Sequence, residues 1–263
     1  MSEKEKWVII TGASSGIGKA LVFEFAKNGF NIFLTARNEN TLIQISEKCQ
    51  SKFRIKTEVF SADLADSNST DNLIKTILNR RFDILVNNAG FGVKGNFAET
   101  NIDEELKMLD VQLAAILKLT KAVLPKMLEA KSGKILNVAS VYSFAPVPKQ
   151  AVYSASKSFI LNFSAALLNE LKKKNIQVSV LCPGITQTEF RLRAGIKDKK
   201  NSGMTAEKVA EIAVHGTLRG RFLIVPGLQN KLFVLIAKYL PTELFATVMR
   251  FINDRRGVNQ DLQ

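Results

Sequence analysis

The sequence predicts an α/β fold: a doubly wound, mainly parallel sheet of about seven strands with helices on both faces. Three observations carry this expectation. Short apolar, β-branched runs recur along the chain, and amphipathic stretches with apolar residues at three- and four-residue steps lie between them. The runs are predominantly apolar, the pattern of strands covered on both faces. A glycine-rich turn from Gly12 to Gly18 joins the first run to the first amphipathic stretch. No repeat, linker or low-complexity segment interrupts the 263 residues, which are read as one domain with residues 228–263 as an apolar helical extension.

In chain order, Trp7–Thr11 is a buried strand, and Ala20, Leu21, Phe23, Phe25 and Ala26 mark a helix ended by Asn28-Gly29. Between them stands Thr11-Gly12-Ala13-Ser14-Ser15-Gly16-Ile17-Gly18. Such a turn either merely connects two elements or brings its backbone close to a diphosphate, which the free N–H groups of the helix start would hold. The strand-turn-helix context favours the diphosphate. Residues 31–37 form the second strand. Dinucleotide folds that hold a ribose 2′-hydroxyl place an acid near its end. Here Ala36 and Arg37 stand there, and an arginine can pair with a 2′-phosphate through two parallel hydrogen bonds. That favours NADP over NAD, with Ser14, Ser15 and Lys19 as helpers; a surface arginine is the plainer alternative.

A helix through Leu42, Ile43 and Ile45 leads to a strand near 55–60 that ends at Ala62-Asp63-Leu64. Asp63 can accept from an adenine amino group or simply cap a turn. A helix over 72–80 precedes the strand Ile84-Leu85-Val86, which opens into Asn87-Asn88-Ala89-Gly90. A long helix is expected over 103–130, kinked near its end by Pro125. The strand 133–138, the helix 151–174 and the strand 176–181 follow. A helix over 206–216, with His215 facing its C-terminal dipole, and a seventh strand at 222–225 complete the pattern.

Tyr153 and Lys157 lie one turn apart on the same face of the helix that starts at 151. A free phenol titrates near pH ~10 and a neighbouring ammonium lowers that value. The pair is therefore one way to build a proton donor that works on a carbonyl at neutral pH. Alone, two polar residues at this spacing are in most proteins simply a solvated helix face.

Together, TGASSGIG (11–18), NNAG (87–90), a serine thirteen residues before YSASK (153–157), and Pro183-Gly184 after the sixth strand resemble the short-chain dehydrogenase/reductase family in order and separation. The span from Thr11 to Gly184 is about two thirds of the chain. The resemblance implies a Rossmann-type fold with its site at the carboxyl ends of the strands. It implies that Tyr153 is the general acid/base and that Lys157 lowers its pKa and holds the nicotinamide ribose. By the same resemblance Ser140 bonds the substrate oxygen, and Asn88 supports the sheet and the cofactor pocket along with Ala89 and Gly90. Thr186, after Pro183-Gly184, would meet the nicotinamide amide or the pyrophosphate. The family commonly carries an asparagine in a D-V-N-L motif that supports a water relay to the lysine. This chain reads Asp110-Val111-Gln112-Leu113, so Gln112 takes that place with one methylene more.

The expected reaction is hydride transfer between NADP(H) and an apolar ketone or secondary alcohol. Alternatives are a 3-oxoacyl-thioester reductase, or a nucleotide-binding regulatory protein without catalysis. Net charge of +13 points to an anionic partner, whether nucleotide, acyl carrier or anionic lipid. Neither zinc-ligand spacing nor a nucleic-acid motif is present, so no metal and no DNA or RNA partner is expected. Two cysteines form no disulfide framework, and no apolar run approaches the ~20 residues that span a bilayer. A polar start without a signal peptide completes the expectation of a cytoplasmic or cytoplasm-facing protein. Phe91, Phe97, Phe144, Val147 and Phe190 fall in the segments that would shape a substrate pocket. The C-terminal segment reads as two apolar-faced helices broken at Pro241, with Lys231, Lys238, Arg250, Arg255 and Arg256 interspersed. They would cover the pocket, form a subunit interface or lie on an anionic membrane. A homo-dimer or tetramer is what the resemblance implies.

Overall fold

The computed structural model describes residues 5–190 and 203–258. Its strands are β1 (Trp7–Thr11), β2 (Asn31–Ala36), β3 (Thr57–Ser61), β4 (Ile84–Asn87), β5 (Gly133–Val138) and β6 (Ile176–Leu181). They are followed by β7 (Thr186–Gln187), β8 (Met204–Thr205) and β9 (Leu223–Ile224). Seven of them form one sheet in the order β3-β2-β1-β4-β5-β6-β9, and every neighbouring pair runs parallel. This is the Rossmann-type doubly wound sheet. β7 and β8, two residues each, form a separate parallel pair that the sequence pattern does not reveal.

The helices are α1 (Gly16–Lys27), α2 (Glu39–Phe53), α3 (Ser67–Ile77), α4 (Ile102–Leu109), α5 (Ala115–Glu129), α6 (Ala151–Leu171), α7 (Ala206–Leu218), α8 (Leu228–Tyr239) and α9 (Thr242–Val258). Alternate residues of each strand feed opposite layers. Val8, Ile10, Ile32 and Leu34 pack with α1, α2 and α7, whereas Ile9, Phe33, Leu85 and Ile135 pack with α3, α5 and α6. β1, β2 and β4 are buried on both faces and so carry no polar alternation, whereas the edge strand β3 is only half-buried.

Local chemistry sets the helix starts. Asn38, Asp66, Asn101 and Thr205 each accept backbone N–H bonds at the N-termini of α2, α3, α4 and α7. The Asp66 cap starts α3 at Ser67, five residues before the expected start, because its first turn is polar and shows no apolar period. The expected long helix is not uniform. α4 and α5 are joined by a π-helical turn over Asp110–Ala114, and α5 runs through Pro125 to Glu129. His215 does lie in the last turn of α7.

The basic cluster Lys197 to Lys200 lies outside the described residues, as do the side chains of Arg255 and Arg256. Both cysteines are buried and free. No helix among the described residues is long and apolar enough to cross a membrane.

Candidate active site

The strand order reverses between β1 and β4, so their carboxyl ends open a crevice, the usual ligand position in such sheets. The Thr11 hydroxyl accepts from the backbone N–H groups of Asn88 and Ala89, both at 2.9 Å. In return the Asn88 side-chain amide donates to the carbonyls of Thr11 (2.8 Å) and Gly12 (3.3 Å). The turn after β1 is thus strapped to the turn after β4. A Cβ on Gly18 would fall inside the Gly12 carbonyl and the Asn88 amide, so only glycine lets α1 start this close to the strand end. Gly12 and Gly16 hold left-handed backbone, φ +65° and +53°. Ser15 caps α1 without a side-chain bond, leaving the N–H groups of the first turn to an anion.

One cleft of about 2610 Å³ runs from this turn to the C-terminal helices. Gly12, Ser14, Ser15, Gly16, Ile17, Gly18, Arg37, Asp63, Leu64, Asn88, Ala89, Gly90, Pro183, Gly184 and Thr186 all line it. Arg37 stands exposed at the end of β2, with its backbone carbonyl bonded by Ser61. Asp63 accepts from the Ala65 N–H at 3.0 Å, so one oxygen does cap a turn while the residue also faces the cleft. Leu64 packs on α3 and α5, and the Thr186 hydroxyl donates to the Gly184 carbonyl at 3.1 Å. This lining fits a dinucleotide: glycines at the close approach, a free helix start for the diphosphate, an arginine at the ribose end.

Ser140, Tyr153 and Lys157 meet in the middle of the same cleft, all buried. Ser140 follows β5 and caps a short 3-10 turn, its hydroxyl accepting from the Tyr142 N–H at 3.2 Å. The serines around them lock α6 to this turn. Ser143 donates to the Lys157 carbonyl (2.8 Å), Ser158 to the Ser143 carbonyl (2.9 Å), and the Val147 N–H donates to Ser154 (3.4 Å). Lys157 Nζ donates to the Val138 carbonyl at 3.2 Å and lies 5.6 Å from the Tyr153 ring centre.

Electrostatics depart from the expected direction. Burial pushes the Tyr153 phenol above its usual value, and only secondarily does a hydrogen bond from Ser140 pull it back. The same desolvation lowers the Lys157 ammonium to about 7. An ammonium that lowers the phenol was expected; burial raises it instead, and burial likewise favours the neutral form of Lys157. Tyr153 is protonated at neutral pH, as any phenol is, and burial raises the cost of giving that proton up.

Gln112 sits in the π-helical turn, fully buried. Its amide donates to the Phe91 carbonyl at 3.1 Å, and its Oε1 has no hydrogen-bond partner. Helical π turns concentrate at functional sites.

Of the apolar residues expected in the pocket, Phe91 and Phe190 line the cleft. Phe97 is 67% exposed and borders a separate cavity, Phe144 packs under Lys238, and Val147 is buried among Phe245 and Met249. Packing sets Phe144 and Val147 aside, because the loop after Ser140 turns them toward the C-terminal helices, whereas Phe97 faces outward from the loop after β4. In their place an aromatic wall appears. Tyr142 and Phe190 lie 6.4 and 5.9 Å from the Tyr153 ring, and Phe233 of α8 lies 6.4 Å from Tyr142. Met249 and Ile252 of α9 continue it. Tyr142 could have been found from its place two residues after Ser140; nothing in the sequence brings Phe233 to the site. Also unanticipated is the buried polar ladder below the site, in which Asn87 donates to Asn137 across β4 and β5 and Asn137 donates to Ser164 of α6, both at 2.8 Å.

A dinucleotide cradle beside a hydroxyl–phenol–ammonium cluster defines a nicotinamide-dependent oxidoreductase. Residues 6–199 match the family model described as short chain dehydrogenase, and the chain belongs to that family. An uncharacterized oxidoreductase of Staphylococcus epidermidis is 31% identical over 214 residues, 81% of this chain and 90% of its own. A very-long-chain 3-oxoacyl-CoA reductase of Rattus norvegicus is 30% identical over 257 residues, 96% of this chain and 81% of its own. Among solved structures, the short-chain dehydrogenase from Sphingobium yanoikuyae in complex with NADPH shares the fold with a TM-score of 0.81. It is 28% identical and covers 98% of this chain and 96% of its own.

Proposed function

We propose that this oxidoreductase is an NADPH-dependent carbonyl reductase acting on an apolar ketone, or on the corresponding secondary alcohol in reverse. The observation that carries the reading is the meeting of Ser140, Tyr153 and Lys157 in one cleft between a dinucleotide cradle and an aromatic wall. Gly12, Gly16 and Gly18 let the diphosphate approach, Ser14, Ser15 and the start of α1 bind it, and Arg37 takes the 2′-phosphate that distinguishes NADP. Asp63 and Leu64 would hold the adenine, and Asn88, Ala89, Gly90, Pro183, Gly184 and Thr186 would hold the nicotinamide end. NADPH bound there supplies the hydride.

The protein's own part is electrostatic and acid–base. Ser140 and Tyr153 direct hydroxyl hydrogens at the carbonyl oxygen, where negative charge grows as the carbon is reduced. Tyr153 gives up its proton to that oxygen. The ammonium form of Lys157, one turn away, opposes the negative charge left on the phenolate and so lowers the cost of ionising a buried phenol. Gln112 takes the relay position. A buried acceptor without a protein partner is satisfied by water, and its Oε1 is such an acceptor. The retained cluster also speaks against a purely regulatory nucleotide-binding protein.

A 3-oxoacyl thioester is the favoured substrate within this reading. Likeness to a very-long-chain 3-oxoacyl-CoA reductase along nearly the whole chain supports it, as do the apolar wall and the basic Lys19, Lys94 and Lys107 along the cleft. The enzyme is further proposed to work as one domain in a homo-oligomer, in a reducing, cytoplasm-facing compartment, with its C-terminal helices covering the pocket. NADPH oxidation across a panel of ketones and 3-oxoacyl thioesters of rising chain length tests the substrate. Turnover should rise with chain length. A protein that binds NADPH yet reduces no member of the panel would sink the reading.

A further inference from the structure

We propose that the outer face of α8 and α9 docks the protein on an anionic lipid surface, and that the carbonyl substrate is a lipid-soluble molecule taken up from that surface. The substrate half of this rests on the carbonyl-reductase reading. α8 has two opposed apolar faces. At roughly 100° per residue, Asn230, Phe233, Val234 and Ala237 share one side of the helix. Asn230 and Phe233 line the cleft, and Val234 is 5% exposed. Leu228, Leu232, Leu235, Ile236 and Tyr239 share the other side and are exposed by 44 to 82%. α9 repeats the arrangement: Phe245 and Met249 are buried, while Leu244, Val248 and Phe251 are exposed by 42 to 57%. Eight of the fifteen large exposed hydrophobics among the described residues thus fall between Leu228 and Phe251. Scattered exposed apolar residues need no explanation, but a concentration of this kind marks an interaction surface.

Charge selects the occupant. Between residues 228 and 252 the chain carries Lys231, Lys238 and Arg250 against one acid, Glu243. Lys231 and Lys238, seven residues apart, lie along the same flank of the α8 stripe; Lys238 Nζ rests over the Phe144 ring, while the Lys231 stem can follow apolar surface and carry its ammonium to a headgroup. A second copy of the chain would bring an equally basic face to the contact and leave the surplus of positive charge uncompensated. An anionic headgroup layer neutralises them while the apolar stripe enters the acyl boundary. The inner face of the same two helices is the aromatic wall of the cleft, so a lipid-soluble carbonyl compound need cross only this helix pair to reach Tyr153.

The test is co-sedimentation of the full chain with phosphatidylcholine vesicles that contain or lack phosphatidylserine. Binding should require phosphatidylserine and weaken as salt rises. A Leu232→Gln/Leu235→Gln/Val248→Gln variant should bind about tenfold more weakly or worse. Its turnover of a short water-soluble ketone should stay at the wild-type level, while turnover of a long-chain ketone carried in the vesicles falls with binding. Lys231→Glu should weaken binding only where phosphatidylserine is present. A wild-type protein left in the supernatant, or a triple variant that still sediments fully, would overturn the proposal. So would a wild-type dimer that the triple variant converts to a monomer without any lipid binding, since the face would then be a subunit contact. A wild type that sediments but reduces no carbonyl would support the docking surface and overturn the catalytic reading instead.

Discussion

At the scale of the residue, the site turns on two groups that burial holds near neutrality. Lys157 has a folded pKa of about 7, below the unfolded value of about 10.5, because desolvation penalises its charge. Between these values the unfolded chain binds more protons, so this group makes stability rise with pH from about 7 to about 10 and imposes its full penalty below 7. Tyr153 acts in the opposite sense at higher pH. Its folded pKa is raised, so above pH ~10 the unfolded phenol ionises first and stability falls. Replacing the ammonium with an apolar chain of similar length should remove the penalty. Lys157→Met is expected to raise the melting temperature of the ligand-free protein at pH 7 by roughly 2–6 °C, with the gain shrinking toward pH 10, and to abolish turnover. Thermal denaturation at the two pH values checks the sign. An unchanged melting temperature at pH 7 would mean that Lys157 is not desolvated as described. Tyr153 itself is placed to donate: it is protonated at working pH, and Ser140 stands beside it.

At the scale of the element, the turn between β1 and α1 carries the heaviest steric demand. Gly18→Ala drives a Cβ into the Gly12 carbonyl and the Asn88 amide, both part of the strap between β1 and β4. Isothermal titration should show NADPH binding weakened by about tenfold or more, with stability lower by about 1–3 kcal/mol. Wild-type affinity in Gly18→Ala would show that α1 need not start so close to the strand. This turn was legible in the sequence because glycines between a strand and a helix have few other uses. The central strands were legible because burial on both faces leaves an unbroken apolar run, as in Ile84–Val86. Other features left no local signature. The π-helical turn at Asp110–Ala114 uses residues that suit an α-helix equally well, and α3 begins on a polar turn that looks like a loop. β7 and β8 are two residues each, too short for any period. Phe144 and Val147 were in the right segments, but which way their loop turns its apolar residues is decided by packing against α8 and α9, far away in sequence.

At the scale of the whole molecule, cofactor binding and folding are linked. A ligand held only by the folded state at a hundred times its Kd adds about 2.7 kcal/mol to stability. Arg37, exposed at the end of β2, should make that gain larger for NADPH than for NADH at equal concentration. Arg37→Ala should bring the two thermal shifts together mainly by reducing the NADPH shift; equal shifts in the wild type would remove the NADP assignment. The surplus of 37 basic over 24 acidic residues acts at longer range, drawing dinucleotide phosphates and anionic carriers toward the cleft, so substrate capture should weaken with salt. The most direct measurement of the account is NADPH consumption by wild type and Tyr153→Phe, side by side on a long-chain 3-oxoacyl thioester, with NADPH affinity determined for both. The account predicts that the variant binds NADPH as wild type does and loses turnover by about 10²–10⁴-fold. A variant that turns over at the wild-type rate would contradict it, because the proton would then reach the carbonyl oxygen from some group other than Tyr153.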